Sequence, residues 1–161
     1  MPIRAKDIMT RTVITVRPQM DLLELEQALR TKKISGAPVV DRGKLVGIVS
    51  RSDIARHLNV EDTYAELAAD LFSAPSTTAD QHDEAVGEQI GERLKNSSVR
   101  DAMLTKVDTV DPETDVAELA QRMLDRRHRR LVVSADGETI QGIVTTSDLV
   151  RLIADGKLRE A

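Results

Sequence analysis

Two kinds of cluster in this 161-residue chain combine residue types that can do chemistry. The first occurs twice: Ser50-x-x-Asp53 and Thr145-x-x-Asp148 each stand where an apolar run gives way to a helical pattern. A hydroxyl three residues ahead of a carboxylate is a helix-capping arrangement, in which both side chains satisfy backbone N–H groups of the first turn. The second cluster is Arg126-Arg127-His128-Arg129-Arg130, the densest positive charge in the chain. It lies between a helical pattern and an apolar strand, so its cations face the negative end of the helix dipole. Solvated helix-end charge is the plain reading of Arg126 and Arg127.

Other chemistries lack their residues. The chain has no cysteine, which removes disulfides, thiol catalysis and thiolate metal sites and suits a reducing cytoplasm. His57, His82 and His128 are scattered without zinc-ligand spacing. His82 falls in Asp80-Gln-His-Asp-Glu84, which reads as a solvated loop rather than a cation site. There is neither a Gly-rich phosphate loop with Lys-Ser/Thr nor a Gly-x-Ser-x-Gly elbow. No enzyme is expected, no metal and no required cofactor. Nucleic-acid binding through the arginine run is disfavoured: 23 basic residues face 27 acidic ones, and Tyr64 and Phe72 are the only aromatic side chains available for base stacking.

The elements that must position these clusters come as a repeat. Shifted by 94 positions, Asp7 and Met9 meet Asp101 and Met103, and Val13, Thr15 and Val16 meet Val107, Thr109 and Val110. Pro18, Asp21, Glu24 and Leu25 likewise meet Pro112, Asp115, Glu118 and Leu119. After Gly43 and Gly137 the offset becomes 95, and Gly47-Ile48-Val49, Ser52-Asp53 and Arg56 meet Gly142-Ile143-Val144, Ser147-Asp148 and Arg151. Each copy reads β-α-β-β-α. A β-branched strand (13–16) ends at a proline; a helix opens on the capping box Asp21-x-x-Glu24 or Asp115-x-x-Glu118; a hairpin follows, turning at Asp41-Arg42-Gly43 or Asp136-Gly137; and a last helix starts near Ser50 or Thr145. The fold class is therefore α/β (α+β), two pseudo-symmetric units that pack together because one alone buries too little surface. Met9 and Met103 read as core fillers.

The organisation expected is unit 1 at 3–58, an inter-repeat segment at 59–96, unit 2 at 97–154 and a tail at 155–161. The inter-repeat segment carries a net charge of −7 against −4 for the whole chain, so the remainder carries +3. It divides into amphipathic pieces, Asp62 to Phe72 and Asp80 to Leu94. It reads as an acidic helical insert docked on the paired units, with a partner contact through Tyr64, Leu67, Leu71 and Phe72 as the alternative. No apolar run is long enough to cross a bilayer and the N-terminus has no signal-like apolar stretch, so a cytoplasmic protein without membrane insertion is expected.

The stretches Ile34-Ser-Gly-Ala-Pro-Val-Val-Asp41 and Gly47-Ile-Val-Ser-Arg-Ser-Asp53, with Arg129-Arg-Leu-Val-Val133 and Gly142-Ile-Val-Thr-Thr-Ser-Asp148 in copy two, resemble the CBS domain. Lys6-Asp-Ile-Met9, Arg100-Asp-Ala-Met103, Val13-Ile-Thr-Val16 and Val107-Asp-Thr-Val110 fit as well, and the tandem arrangement resembles a CBS pair, or Bateman module, of the stand-alone bacterial and archaeal kind. The resemblance implies a non-catalytic homodimeric regulator. Clefts between its two units would hold an adenosine-containing ligand, AMP, ADP, ATP or S-adenosylmethionine, and binding would signal to an unidentified partner. The alternative is an interaction protein whose dimer or acidic insert carries the function.

Residue by residue, the resemblance assigns Asp53 and Asp148 to the ribose, where a carboxylate accepts hydrogen bonds from a vicinal diol. It places Ser50 and Thr145 near the phosphate, at helix starts suited to anions. Arg129 and Arg130 match the family's phosphate-reaching pair, a task for a planar, permanently charged fork. Ser35, Gly36 and Ala37 match the wall against adenine, although Gly36 could equally end the helix that runs through Lys33. Thr15 and Thr109 match cleft-lining positions and are also ordinary strand residues. Because copy one has Ser35-Gly36 where copy two has Arg129-Arg130, the resemblance implies that Asp53 with the two arginines serves a phosphorylated nucleotide, and that the Asp148 cleft is weaker, empty or suited to a less anionic ligand.

Overall fold

The computed structural model describes residues 2–58 and 79–157. A single helical turn, α1 (Ala5–Ile8), leads the chain. Next, α2 (Leu22–Thr31) buries Leu22, Leu25 and Leu29, the apolar stripe that helical spacing puts on one face. Its cap works in one direction: Asp21 accepts the Glu24 N–H at 2.7 Å. The helix closes through Lys33, left-handed at φ 54°, and the Ile34 N–H returns to the Leu29 carbonyl at 3.0 Å. Gly36 is thus not the helix terminator; it opens strand β1 (Gly36–Asp41). Arg42 and Gly43, at φ 49° and 80°, make the tight turn into β2 (Lys44–Ser50), and α3 (Arg51–Leu58) follows without a break.

Of the acidic insert, Asp62 to Phe72 with its four candidate contact residues lies outside the described residues. The second piece is the helix α4 (Ala79–Lys95), so Asp80 to Glu84 belongs to a helix and not to a loop. It packs on α2 and α3 and buries Leu94. The second copy repeats the first: α5 (Val99–Ala102), β3 (Thr109–Val110), α6 (Val116–Arg126), β4 (Arg130–Val133), β5 (Gly142–Thr145) and α7 (Thr146–Ala154). Asp115 caps α6 through the Ala117 N–H at 2.8 Å, so its expected reciprocal box with Glu118 is replaced by a one-sided cap. The Asp136-Gly137 joint is wider than a two-residue turn. The Asp136 carboxylate gathers the N–H groups of Glu138 and Thr139, which hold it well below the ordinary aspartate range, and Gly137 alone takes a positive φ there.

The sheets are small. β1 and β2 form a two-stranded hairpin, and the second sheet runs β3-β4-β5 with β3 parallel and β5 antiparallel to β4. The β-branched stretches at 13–16 and 107–110 form less strand than their composition suggests. Val16 makes one parallel bridge to Val39, and β3 pairs at only two positions. Pro18 and Pro112 follow within two residues, and a proline has no N–H to donate to a ladder.

Two compact units result, each assembled from parts of both repeats. One gathers 2–15, 40–46 and 106–157; the other gathers 16–39, 47–58 and 79–105. In the first, α1 docks beside the second repeat: Ala5 N–H bonds Thr114 O at 2.8 Å, Lys6 N–H bonds Pro112 O at 3.0 Å, and Thr10 pairs with Ile143. In the second, α5 makes the matching bonds to the first repeat: Val99 N–H to Met20 O at 2.8 Å, Arg100 N–H to Pro18 O at 3.0 Å, and Leu104 paired with Ile48. The first unit buries Ala5, Val110, Val116, Leu119, Met123, Leu131, Val133, Val144 and Leu152 as one cluster. The second buries Val16, Leu22, Leu25, Leu29, Val39, Val49, Ile54 and Val99.

Charge distinguishes the two dockings. Glu113 pairs with Arg4 and, at 2.5 Å, with Lys6, whereas the matching position in copy one is the uncharged Gln19. The Lys6 hydrogen bond, then Arg4, holds the Glu113 carboxyl below its ordinary 4.5. A depressed acid contributes stability that is complete above its ordinary value and disappears as pH falls through the lowered one. Glu113→Gln is therefore expected to lower Tm slightly at neutral pH, with the gap to wild type closing in acid. A melting series over pH, with and without added salt, checks this.

Candidate functional site

Each repeat builds its candidate site at the start of its last helix. In the second unit, β2 runs straight into α3, and Asp53 in the first turn folds back over the junction. Its Oδ2 accepts the Ser50 N–H at 2.8 Å and the Ser50 hydroxyl at 2.9 Å. Its Oδ1 accepts Arg56 Nη1 at 2.9 Å. These three donors compensate a carboxylate only 5% exposed. The Arg51 N–H donates to Ser35 O at 3.0 Å, which ties the entry to β1 against the helix start. Gly36 and Ala37 continue from there, buried. Ser35, Gly36, Ala37, Ser50 and Asp53 therefore come together as one cluster.

The first unit repeats the pattern with other side chains. Asp148 Oδ2 accepts the N–H and the hydroxyl of Thr145, both at 2.7 Å. The Thr146 N–H donates to Arg129 O at 3.0 Å, and Arg130 lies opposite Thr145 across the β4–β5 pair. Arg129, Arg130, Thr145 and Asp148 thus also form one cluster, with the Arg129 side chain exposed and that of Arg130 half-buried. Thr109 sits in the same sheet opposite Val132, two residues along β4 from Arg130. Thr15 is exposed and directly precedes the Val16 bridge, outside any strand.

Capping and a binding role draw on the same carboxylates. A carboxylate has about four acceptor positions, two per oxygen, and the cap in each repeat uses both on Oδ2. The oxygen that the cap leaves over is Oδ1, beside a helix N-terminus that attracts negative charge. The arrangement can accept hydroxyl hydrogen bonds and hold an anion. Among the described residues no group of three or more His, Cys, Asp or Glu side chains is placed to hold a metal ion.

Two features escaped the sequence reading. One is the partner of each aspartate, Arg56 and Arg151, visible in the repeat alignment as Asp-x-x-Arg in both copies. The other surrounds Asp108, whose side chain is 10% exposed. Its Oδ1 lies 3.1 Å from Arg126 Nη1 and 3.9 Å from Arg122 Nη1, and its Oδ2 lies 3.7 Å from His128 Nδ1, beyond hydrogen-bond reach. Arg126, exposed in the last turn of α6, is thus also an ion-pair partner of Asp108. Arg127 closes α6 in the left-handed conformation at φ 53°. The position matching Asp108 in copy one is Ile14, 40% exposed, so pattern matching between the copies gave no warning.

Comparison with known proteins agrees with the repeat. The CBS domain family matches residues 5–60 and 99–155. An uncharacterised protein of Methanocaldococcus jannaschii is 37% identical over 92% of this chain and 89% of its own length. Further curated relatives are longer: the chain spans 42% of two other uncharacterised proteins of that organism and 34% of its zinc metalloprotease MJ0392. Among solved structures, CBSX2 from Arabidopsis thaliana in complex with AMP superposes with a TM-score of 0.68 at 25% identity, covering 96% of this chain and 98% of that one. The CBS domain pair of protein MJ0100, solved with 5′-methylthioadenosine and S-adenosyl-L-methionine, shares the fold at a TM-score of 0.67 and 22% identity, covering 97% and 99%.

Proposed function

The chain belongs to the CBS-domain family, and from that premise we propose that it is a non-catalytic regulatory module that binds an adenosine-containing ligand and signals its presence to a protein partner. AMP is the first candidate, followed by ADP, ATP and S-adenosylmethionine. The observation that carries the reading is the recurrence, in both repeats, of a carboxylate folded over a helix start with the entry of the neighbouring strand bonded to that start. Asp53 and Asp148 take ribose hydroxyls in this reading, Ser50 and Thr145 lie near the phosphate, and Arg129 and Arg130 reach it. Ser35, Gly36 and Ala37, with Thr15 and Thr109, form the walls against the base. The AMP complex of a relative of equal extent supports the ligand class. Signalling requires that the ligand bind one conformational state better than another. We place the protein in the cytoplasm; no described helix is long and apolar enough to cross a membrane.

The second reading is an interaction protein, and one observation bears on it. Leu124, Val150 and Ile153 on α6 and α7 are 73%, 58% and 66% exposed, unusually bare for large apolar side chains. We assign them to a homodimer contact, which is compatible with either function.

Thermal stability separates the readings. At a ligand concentration 100 times Kd, binding to the folded state adds about 2.7 kcal/mol, a rise of roughly 5–10 °C for a chain of this length. The adenosine ligands should produce it and GMP should not. Replacing Arg129 and Arg130 together with Ala should weaken AMP about tenfold or more, the value of one or two charge-assisted hydrogen bonds, and leave adenosine nearly unaffected. Absence of any selective shift favours the interaction protein.

A further inference from the structure

The two aspartates are not equally available. Both spend Oδ2 on the cap, but Oδ1 differs. In copy one, Arg56 Nη1 is hydrogen-bonded to Asp53 Oδ1 at 2.9 Å, and the carboxylate is 5% exposed. In copy two the homologous Arg151 stands 3.9 Å from Asp148 Oδ1, too far for a hydrogen bond, and the carboxylate is 14% exposed. A vicinal diol needs two acceptor positions. Asp148 Oδ1 has both lone pairs unclaimed among the described residues, whereas Asp53 Oδ1 has given one to Arg56. Sequence alone treats the pairs as equals, since both read Asp-x-x-Arg.

We propose that Arg56 is a gate on the Asp53 half of the molecule: it occupies the acceptor position that a ribose diol requires, so that Asp148 takes a diol as it stands and Asp53 does so only when Arg56 swings away. This rests on the reading of the aspartates as diol acceptors, and it reverses the order implied by the resemblance, in which the Asp53 side was the stronger. The Arg56 side chain is 67% exposed, so it can leave Asp53 for solvent without disturbing packing. Its departure leaves Asp53 with the Ser50 cap intact and its outer oxygen vacant. The gate makes occupation of the first copy conditional on whether Arg56 stays on Asp53.

The test uses AMP and 2′-deoxy-AMP, which differ by one diol hydroxyl, and reads the ratio of their dissociation constants by calorimetry. Wild type should favour AMP about tenfold, the worth of one hydrogen bond to a charged group. Asp148→Asn should erase that preference and Asp53→Asn should leave it largely intact; asparagine retains an acceptor for each cap, and melting of the unliganded variants verifies folding. Adding Arg56→Ala to Asp148→Asn should restore a preference of about tenfold, while Arg151→Ala in wild type should change nothing. The gate is overturned if Asp148→Asn/Arg56→Ala still fails to discriminate, or if Asp53→Asn erases the preference as fully as Asp148→Asn. If neither asparagine variant alters it, the diol reading itself is wrong and the gate falls with it.

Discussion

Replacing Asp53 and Asp148 together with alanine is expected to abolish the stabilisation by AMP and, separately, to lower the melting temperature of the unliganded protein. The second effect follows from what the carboxylates do at rest. Each accepts an N–H and a hydroxyl at the head of its helix, and loss of capping interactions of this kind costs about 0.5–2 kcal/mol apiece. The first effect is the full gain of about 2.7 kcal/mol at 100 times Kd, comparable to the two caps together. Asparagine at both positions divides the two: it keeps an oxygen for the cap but loses the charge and part of the acceptor capacity. The double asparagine variant should therefore melt near wild type without ligand and still respond poorly to AMP. A double alanine variant that responds to AMP like wild type would remove the aspartates from the site.

The second large effect lies under the docked leading segments. A Cβ at Gly47 would stand 2.7 Å from Met103 Sδ and 2.9 Å from the Leu104 carbonyl oxygen; at Gly142 it would meet Met9 Sδ at 2.5 Å, Cγ at 2.8 Å and Cβ at 3.0 Å. Leu104 cannot retreat easily, because it exchanges two backbone hydrogen bonds of 2.9 Å with Ile48. Overpacking of this kind costs about 1–3 kcal/mol, so Gly47→Ala and Gly142→Ala should each lower Tm by several degrees. Rescue should be unequal. Met9→Ala removes the two closest contacts at position 142, whereas Met103→Ala leaves the fixed carbonyl at position 47. Calorimetric melting of the single and double variants measures the coupling, and an unchanged Tm for Gly47→Ala would show that Met103 and Leu104 do not sit on β2 as described.

These glycines illustrate what was legible in the sequence. The 94-residue offset exposed the repeat, the stripe Leu22, Leu25 and Leu29 marked a helix face, and Gly47 and Gly142 stood out as matched positions. Nothing local revealed why glycine is needed there, since the atoms that crowd it come from the other repeat. The same is true of α1 and α5: each reads as the start of its own copy and docks on its counterpart. The capping role of Ser50-x-x-Asp53 and Thr145-x-x-Asp148 was readable from spacing, because capping is a local interaction. The difference between Arg56 and Arg151 was not, because identical spacing produced distances of 2.9 and 3.9 Å. Asp108 was overlooked for a related reason. Its partners Arg122, Arg126 and His128 lie up to twenty positions away, and its equivalent, Ile14, carries no charge.

The site also shows how one set of atoms supports both folding and recognition. A helix start needs acceptors for its N–H groups whatever the protein does, and an aspartate supplies them with one oxygen. The other oxygen is then held at a fixed place and angle, which lowers the entropic cost of accepting a hydroxyl from a ligand. Twice in this chain the cap and the candidate site are the same side chain, so evolution of one constrains the other.

Titration calorimetry of AMP into the protein freed of small molecules, with GMP as control, addresses the central claim most directly. A saturable heat for AMP, none for GMP, and its disappearance in Asp53→Ala/Asp148→Ala is the result anticipated. No heat from AMP, ADP, ATP or S-adenosylmethionine at millimolar concentration, or an equal heat from the double variant, would contradict it.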